Sequence, residues 1–312
     1  MIINFRYHVV TLVAIFMALT VGIFIGSFLQ GDDVVMEQQE LLVERIEDQL
    51  TVLNEENQQL QLDYELVKQQ DAYFKQFEQN VFPFLVDGIL TEHKVALINT
   101  GNQEIPASLS ANLSLAGAKV DLVINIKDNL NLSDTSALLE KLNWTPANVL
   151  NPDLEAGADS EDSTPITPDL VRSRLLQEIV RVILAGDQTG FWNKLNGLDL
   201  IETEGEASGS ITTIILLGGN SSLKNSKLQT LDAPLIQYCN AAGVRVCGSE
   251  TSTAPYSYMS DYQALGLSTV DNLDYLSGQY SAILVLAGAN GNYGIKTTAQ
   301  ALIPDRSVLN SY

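Results

Sequence analysis

Basic side chains are scarce: 17 Lys and Arg stand against 38 Asp and Glu, a net charge of −21. A chain this acidic cannot track a phosphate backbone, which requires clustered Lys and Arg. Nucleic acid is therefore excluded as a partner. The same deficit leaves no polybasic patch to hold an anionic lipid surface. Cysteine is nearly absent as well, and Cys239 and Cys247 are too few for a disulfide framework. Three readings of the two thiols stay open. They could pair in an oxidising compartment, offer soft ligands to Cu(I) together with Met259, or be buried as small apolar side chains. The only histidines are His8 and His93. A two-histidine metal site within one chain is not expected from their positions, and no Ser-His-Asp set can be assembled. Paired carboxylates are so numerous that they discriminate nothing. No catalytic residue is assigned, and the chain is expected not to be an enzyme.

Apolar residues, in contrast, are concentrated at the start. Residues 9–29, VVTLVAIFMALTVGIFIGSFL, carry no charge. At helical rise they span about 31 Å, close to the hydrocarbon thickness of a bilayer. A cleaved signal peptide has a shorter apolar core and a small-residue cleavage site. Ser27-Phe28-Leu29-Gln30 offers none. The expectation is an uncleaved single-pass anchor at 9–29. Arg6 precedes the span and no Lys or Arg follows it until Arg45. By the positive-inside rule, residues 1–8 form a cytoplasmic tip and the bulk of the chain lies outside the bacterial cell membrane. Gly22 and Gly26 form a G-x-x-x-G, with Ala18 on the same helix face, a spacing that lets two membrane helices approach closely.

Gly31-Asp32-Asp33 is expected to break this run and reset the helix. From Met36, spacings of three and four alternate through Gln39, Val43, Ile46, Leu50, Leu53, Asn57, Leu60, Tyr64, Val67, Asp71 and Phe74. Most of these positions are apolar, which is the a/d pattern of a coiled coil. Residues 34–80 are therefore expected to form a stalk. Asn57 at an a position favours a parallel two-stranded register. The expected partner is a second copy, in a parallel homodimer with Leu50, Leu53, Asn57 and Leu60 at its seam.

Residues 90–312 read as an α/β domain outside the cytoplasm. Residues 94–102 and 212–220 each form an apolar strand entering a Gly turn, and each is followed by a helical stretch and a second strand, at 120–126 and from about Val244. Short apolar strands separated by helices imply parallel pairing. The fold class expected is a parallel-sheet α/β domain with two βαβ halves, related or convergent. Residues 151–169 are acidic and rich in Ser, Thr and Pro, the composition of a mobile surface loop. An amphipathic helix is expected at 169–185, a strand at 282–286 and a helix around 298–302. The loop from Gly288 through Gly291 to Gly294 would then join a strand to a helix, where an α/β fold can bind a phosphate. Lys296 does not directly follow Gly294, so the stretch is not a Walker loop. A tight structural turn is the competing reading.

With these pieces in place the chain resembles the MctB-like family, the copper transport outer membrane proteins of mycobacteria and relatives. Residues 5–19 (FRYHVVTLVAIFMAL), with Gly22, Gly26 and Ser27, look like the family's anchor. Near the other end, residues 268–272 (STVDN), Gly278, Gln279, Tyr293, Gly294 and residues 301–304 (ALIP) look like its C-terminal signature. The resemblance implies copper transport or copper homeostasis at the cell envelope, with copper as the implied metal. The alternative is a non-enzymatic scaffold that presents its α/β domain to an envelope or cell-division partner.

Overall fold

The computed structural model describes residues 5–130, 136–151, 166–205, 209–220 and 227–305. The chain divides into two compact units, residues 1–76 and 77–312. Helix α1, Phe5–Val86, is unbroken, so Gly31-Asp32-Asp33 does not reset it. Each such residue costs about 1 kcal/mol or less in a helix interior. Propagation from long helical stretches on both sides outweighs that, because only nucleation is expensive. Leu, Glu and Gln, all good helix formers, dominate the segment that follows. Within the first unit, Phe5–Phe28 is long and apolar enough to cross a membrane, with a mean hydropathy of 2.6.

In the second unit α1 finishes against the domain. Phe82 and Val86 are buried there with Leu90. Pro83 stands in the last turn, which closes with Asp87 N–H donating to Pro83 O at 3.0 Å.

A seven-stranded sheet follows. Its strands are β1 Lys94–Asn99, β2 Lys119–Ile126, β3 Ile201–Gly205, β4 Thr213–Leu217, β5 Arg245–Ser249, β6 Ser268–Val270 and β7 Asn292–Tyr293. They lie in the order β3-β2-β1-β4-β5-β6-β7. All neighbours are parallel except β3, which pairs antiparallel with β2. The sheet is thus mostly parallel, not purely so. Expectation missed β3 because its residues (IETEG) carry too little apolar character to signal a strand, and edge pairing asks for less.

Helices cover both faces, as a parallel sheet requires. One face packs α3 Ser136–Leu142, α4 Pro146–Leu150, α5 Pro168–Ala185, α6 Phe191–Gly197, α7 Ala233–Ala241 and α8 Met259–Ala264. The other packs α2 Leu109–Leu115, α9 Leu276–Ala287 and the end of α1. Helix α5 begins as its sequence requires. Thr167 caps it by accepting from Leu170 N–H at 3.3 Å, and Pro168 takes the first helical position. The expected acidic loop lies mainly on residues 152–165, outside the described residues.

Two expectations near the C-terminal end are corrected. Residues 282–286 are not a strand but the middle of α9, where every residue from Gly278 to Leu286 is buried. A helix buried all round shows no 3.6-residue period, so a short apolar run reads equally well as a strand. Residues 298–302 are not helical either; Ala301 bridges to Tyr293 and extends the pairing beyond β7.

Candidate functional site

Strands β1 and β4 are adjacent at the centre of the sheet, and their connections leave in opposite directions, β1 to β2 and β4 to β5. This is the topological switch point of a doubly wound sheet, the place beyond the carboxyl ends of the strands at which open α/β sheets bind ligands. The residues just past those ends are polar and buried: Thr100 after β1, Asn220 after β4, Glu250 and Thr251 after β5, Asp271 and Asn272 after β6.

At the switch point itself two glycine turns meet. A Cβ at Gly101 would lie 2.6 Å from Gly219 O, closer than real Cβ contacts allow. Gly219 also holds φ +83, which favours glycine. Thr100 and Gly101 donate their N–H groups to Leu217 O at 2.9 and 3.2 Å, tying the end of β1 to the end of β4. Behind the turns lies Tyr262, fully buried on α8. Gly218 and Gly248 leave the space for its ring, since a Cβ on either would come within 2.0 or 2.6 Å of it. The Tyr262 hydroxyl donates to Asp232 Oδ2 at 2.5 Å. Asp232 is wholly buried and ends a π-helical turn, Leu228–Asp232, that leads into α7. Such turns recur at functional sites.

Next to this, charged groups tie the remaining strand ends together. Glu250, fully buried, accepts from Ser257 Oγ at 2.6 Å, Tyr258 N–H at 3.1 Å and Lys296 Nζ at 2.7 Å. Lys296 also donates to Thr251 O at 3.2 Å and Ala254 O at 3.5 Å. Asp271 accepts from the N–H groups of Ile295 and Lys296 at 2.7 and 3.0 Å. Gln103 Oε1 accepts from Thr251 N–H at 2.9 Å and from its hydroxyl.

This geometry shows where the expected ligand loop stands. Gly288 caps α9, Gly291 approaches the Tyr293 hydroxyl, and Gly294 follows β7 with φ +137. The loop therefore joins a helix to a strand, the reverse of the expected order. The N–H groups after Gly294 already hold the Asp271 carboxylate, and the Lys296 ammonium is held by Glu250. The arrangement is that of an internal staple.

The three soft ligands are not brought together. Cys239, on α7, and Met259, at the start of α8, pack in the core on one face of the sheet. Cys247, on β5, packs on the opposite face. Both thiols are free and buried. Burial pushes each up to about 12, so neither readily forms the thiolate that binds a soft metal. Among the described residues no group of three or more His, Cys, Asp and Glu side chains could hold a metal ion. These residues do not fit a copper site.

On α1, Leu50, Leu53 and Leu60 are 52, 54 and 66% exposed. Asn57 donates from Nδ2 to Leu53 O at 3.2 Å. Gly22 and Gly26 have open space around them. Sequence reasoning missed Thr100, Asp232, Tyr262 and Glu250, which no motif links.

No curated protein matches the chain. The model of a family described as "Copper transport outer membrane protein, MctB" matches residues 2–304. With nearly its whole length matched, from the apolar start of α1 to the turn that follows β7, the chain belongs to the MctB family.

Proposed function

We propose that the protein is a single-pass, membrane-anchored envelope protein of copper transport or copper homeostasis. The observation that carries this reading is the family match along residues 2–304. The helix Phe5–Phe28 supports the anchor, and Arg6 on its N-terminal side supports a cytoplasmic N-terminus with the α/β domain outside. The role is non-enzymatic, and the protein acts on copper flux without holding the ion on Cys239, Cys247 and Met259.

The exposed heptad positions of α1 support a parallel coiled-coil homodimer. Two copies of α1 would bury Leu50, Leu53 and Leu60 against each other and pair Asn57 with its counterpart. Gly22 and Gly26 would let the membrane segments follow the same register. The parallel crossovers β1-α2-β2 and β4-α7-β5, on opposite faces of the sheet, support two related βαβ halves. An envelope protein docked on the domain would complete the transport path.

Deletion of the gene tests the copper role. Deleted cells are expected to accumulate copper and lose tolerance to it. The full chain should restore tolerance, and so should Cys239→Ala/Cys247→Ala, provided its circular dichroism matches the parent. Unchanged copper content and tolerance in the deletion strain would sink the copper reading. Loss of rescue by a folded Cys239→Ala/Cys247→Ala chain would return the metal to the thiols.

A further inference from the structure

Within the second unit, an apolar groove of about 240 Å³ runs along the end of α1. Phe77, Glu78, Val81, Phe82 and Leu85 of α1 form one wall. The start of α9, with Leu302 and Ile303, forms the other. The groove is apolar and wet at once. Phe77 is 63% exposed, Leu302 50% and Ile303 43%. Covering such a surface removes apolar area from water and is favourable.

The helical wall is not a random selection of residues. The heptad lettering that puts Asn57 at a continues to Glu78 and Leu85 at a, Val81 at d, Phe82 at e and Phe77 at g. Positions a, d, e and g are the ones that face the second helix of a parallel coiled coil. The outward positions of the same stretch, Gln79 at b, Asn80 at c and Pro83 at f, do not line the groove. A groove placed without regard to the heptad would draw on those as well. The floor of the groove is therefore the seam of the helix, and the domain stands beside that seam as a shoulder.

We propose that a second copy of this chain fills the groove, so that the dimer interface continues onto the α/β domain. The inference rests on the parallel homodimer proposed above and adds a domain surface to it. In a parallel pair, the g position of one helix faces the e position of the next heptad on the other. That sets Phe77 of the second copy against Phe82, while Val81 meets its counterpart at d. Leu302 and Ile303 flank the incoming helix. The two-fold makes the contact reciprocal, and each copy fills the groove of the other. Glu78 brings two carboxylates to one a layer, which opposes the contact by like-charge repulsion. Its removal is the change that tightens the interface.

Cysteine cross-linking of the full chain in detergent micelles tests this. Cys239 and Cys247 are buried, so a single introduced thiol is the reactive one. Leu53→Cys, at d in the stalk, reports the homodimer, and Val81→Cys, at d in the groove, reports the groove. Both are expected to give a disulfide-linked dimer under mild oxidation. In the Leu53→Cys chain, Leu302→Asp/Ile303→Asp should raise the protein concentration for half-maximal cross-linking at least about tenfold, because it puts unpaired carboxylates into an apolar contact. Glu78→Leu, at an exposed residue, should lower it, and carries the test if Leu302→Asp/Ile303→Asp unfolds the domain. Cross-linking at Leu53→Cys but not at Val81→Cys gives the groove another occupant, and overturns the inference while the stalk dimer stands. An unchanged concentration with folded Leu302→Asp/Ile303→Asp confines the dimer to the helices and overturns it too. Absence of cross-linking at both positions removes the homodimer and the groove contact together.

Discussion

Lys296→Met is expected to cost about 3–5 kcal/mol of folding stability in the α/β domain, the range for removing one partner of a buried ion pair. The reason lies with the partner left behind. Glu250 has no exposure to solvent. Without Lys296 it keeps, among the described residues, the Ser257 hydroxyl and the Tyr258 N–H as donors. Two neutral hydrogen bonds do not offset the desolvation of a full negative charge. Two carbonyls, Thr251 O and Ala254 O, lose a donor at the same time. Both tryptophans, Trp144 and Trp192, lie in this domain, so their emission during urea unfolding of the full chain in detergent follows it alone. Lys296→Met/Glu250→Gln should recover part of the loss, because it removes the stranded charge. A single-variant loss below about 1 kcal/mol, the scale of an exposed pair, would show that water reaches Glu250.

Gly294→Ala should be nearly as damaging, at about 3 kcal/mol or more, for two separate reasons. The backbone there holds φ +137, a region in which an L side chain is strained by about 1–3 kcal/mol. The added Cβ would also lie 2.0 Å from Asp271 Oδ1. Asp271 would have to withdraw from the N–H groups of Ile295 and Lys296, and hydrogen bonds to charged groups contribute about 1.5–3 kcal/mol each. The two contributions separate in a cycle with Asp271→Ala. In that background the clash is gone and only the backbone strain remains, so Gly294→Ala should cost less than it does in the parent chain. Equal costs in both backgrounds would assign the whole effect to φ.

The sequence was most legible where burial is two-sided and local. β1, β2, β4 and β5 were readable because unbroken apolar strands ending in Gly or a polar turn have few alternatives. The long apolar helix at Phe5–Phe28 was readable from length and composition alone. α9 was misread because a helix buried on every side carries no period, and β3 was missed because an antiparallel edge strand needs little apolar character. The carboxyl edge was hidden for a different reason. Thr100, Asp232, Glu250, Tyr262 and Lys296 come from five separate places in the chain, and only the strand order makes them neighbours. The Gly288–Gly294 stretch drew attention because it concentrates its glycines locally. In the fold only Gly294 among them makes room for Asp271, a residue that no spacing rule connects to it.

The opposed placement of the two thiols also has a kinetic meaning. With Cys239 1% exposed and Cys247 0%, the folded chain offers no thiol to a reagent in solution. A thiol-reactive dye added in excess can label only molecules that have opened. Each face of the sheet carries one thiol, so each half of the core keeps its own clock. Equal labelling rates at Cys239 and Cys247 would mean that the sheet comes apart in a single event. Faster labelling at one of them would reveal which layer of helices lifts first, with no foreign probe in the protein.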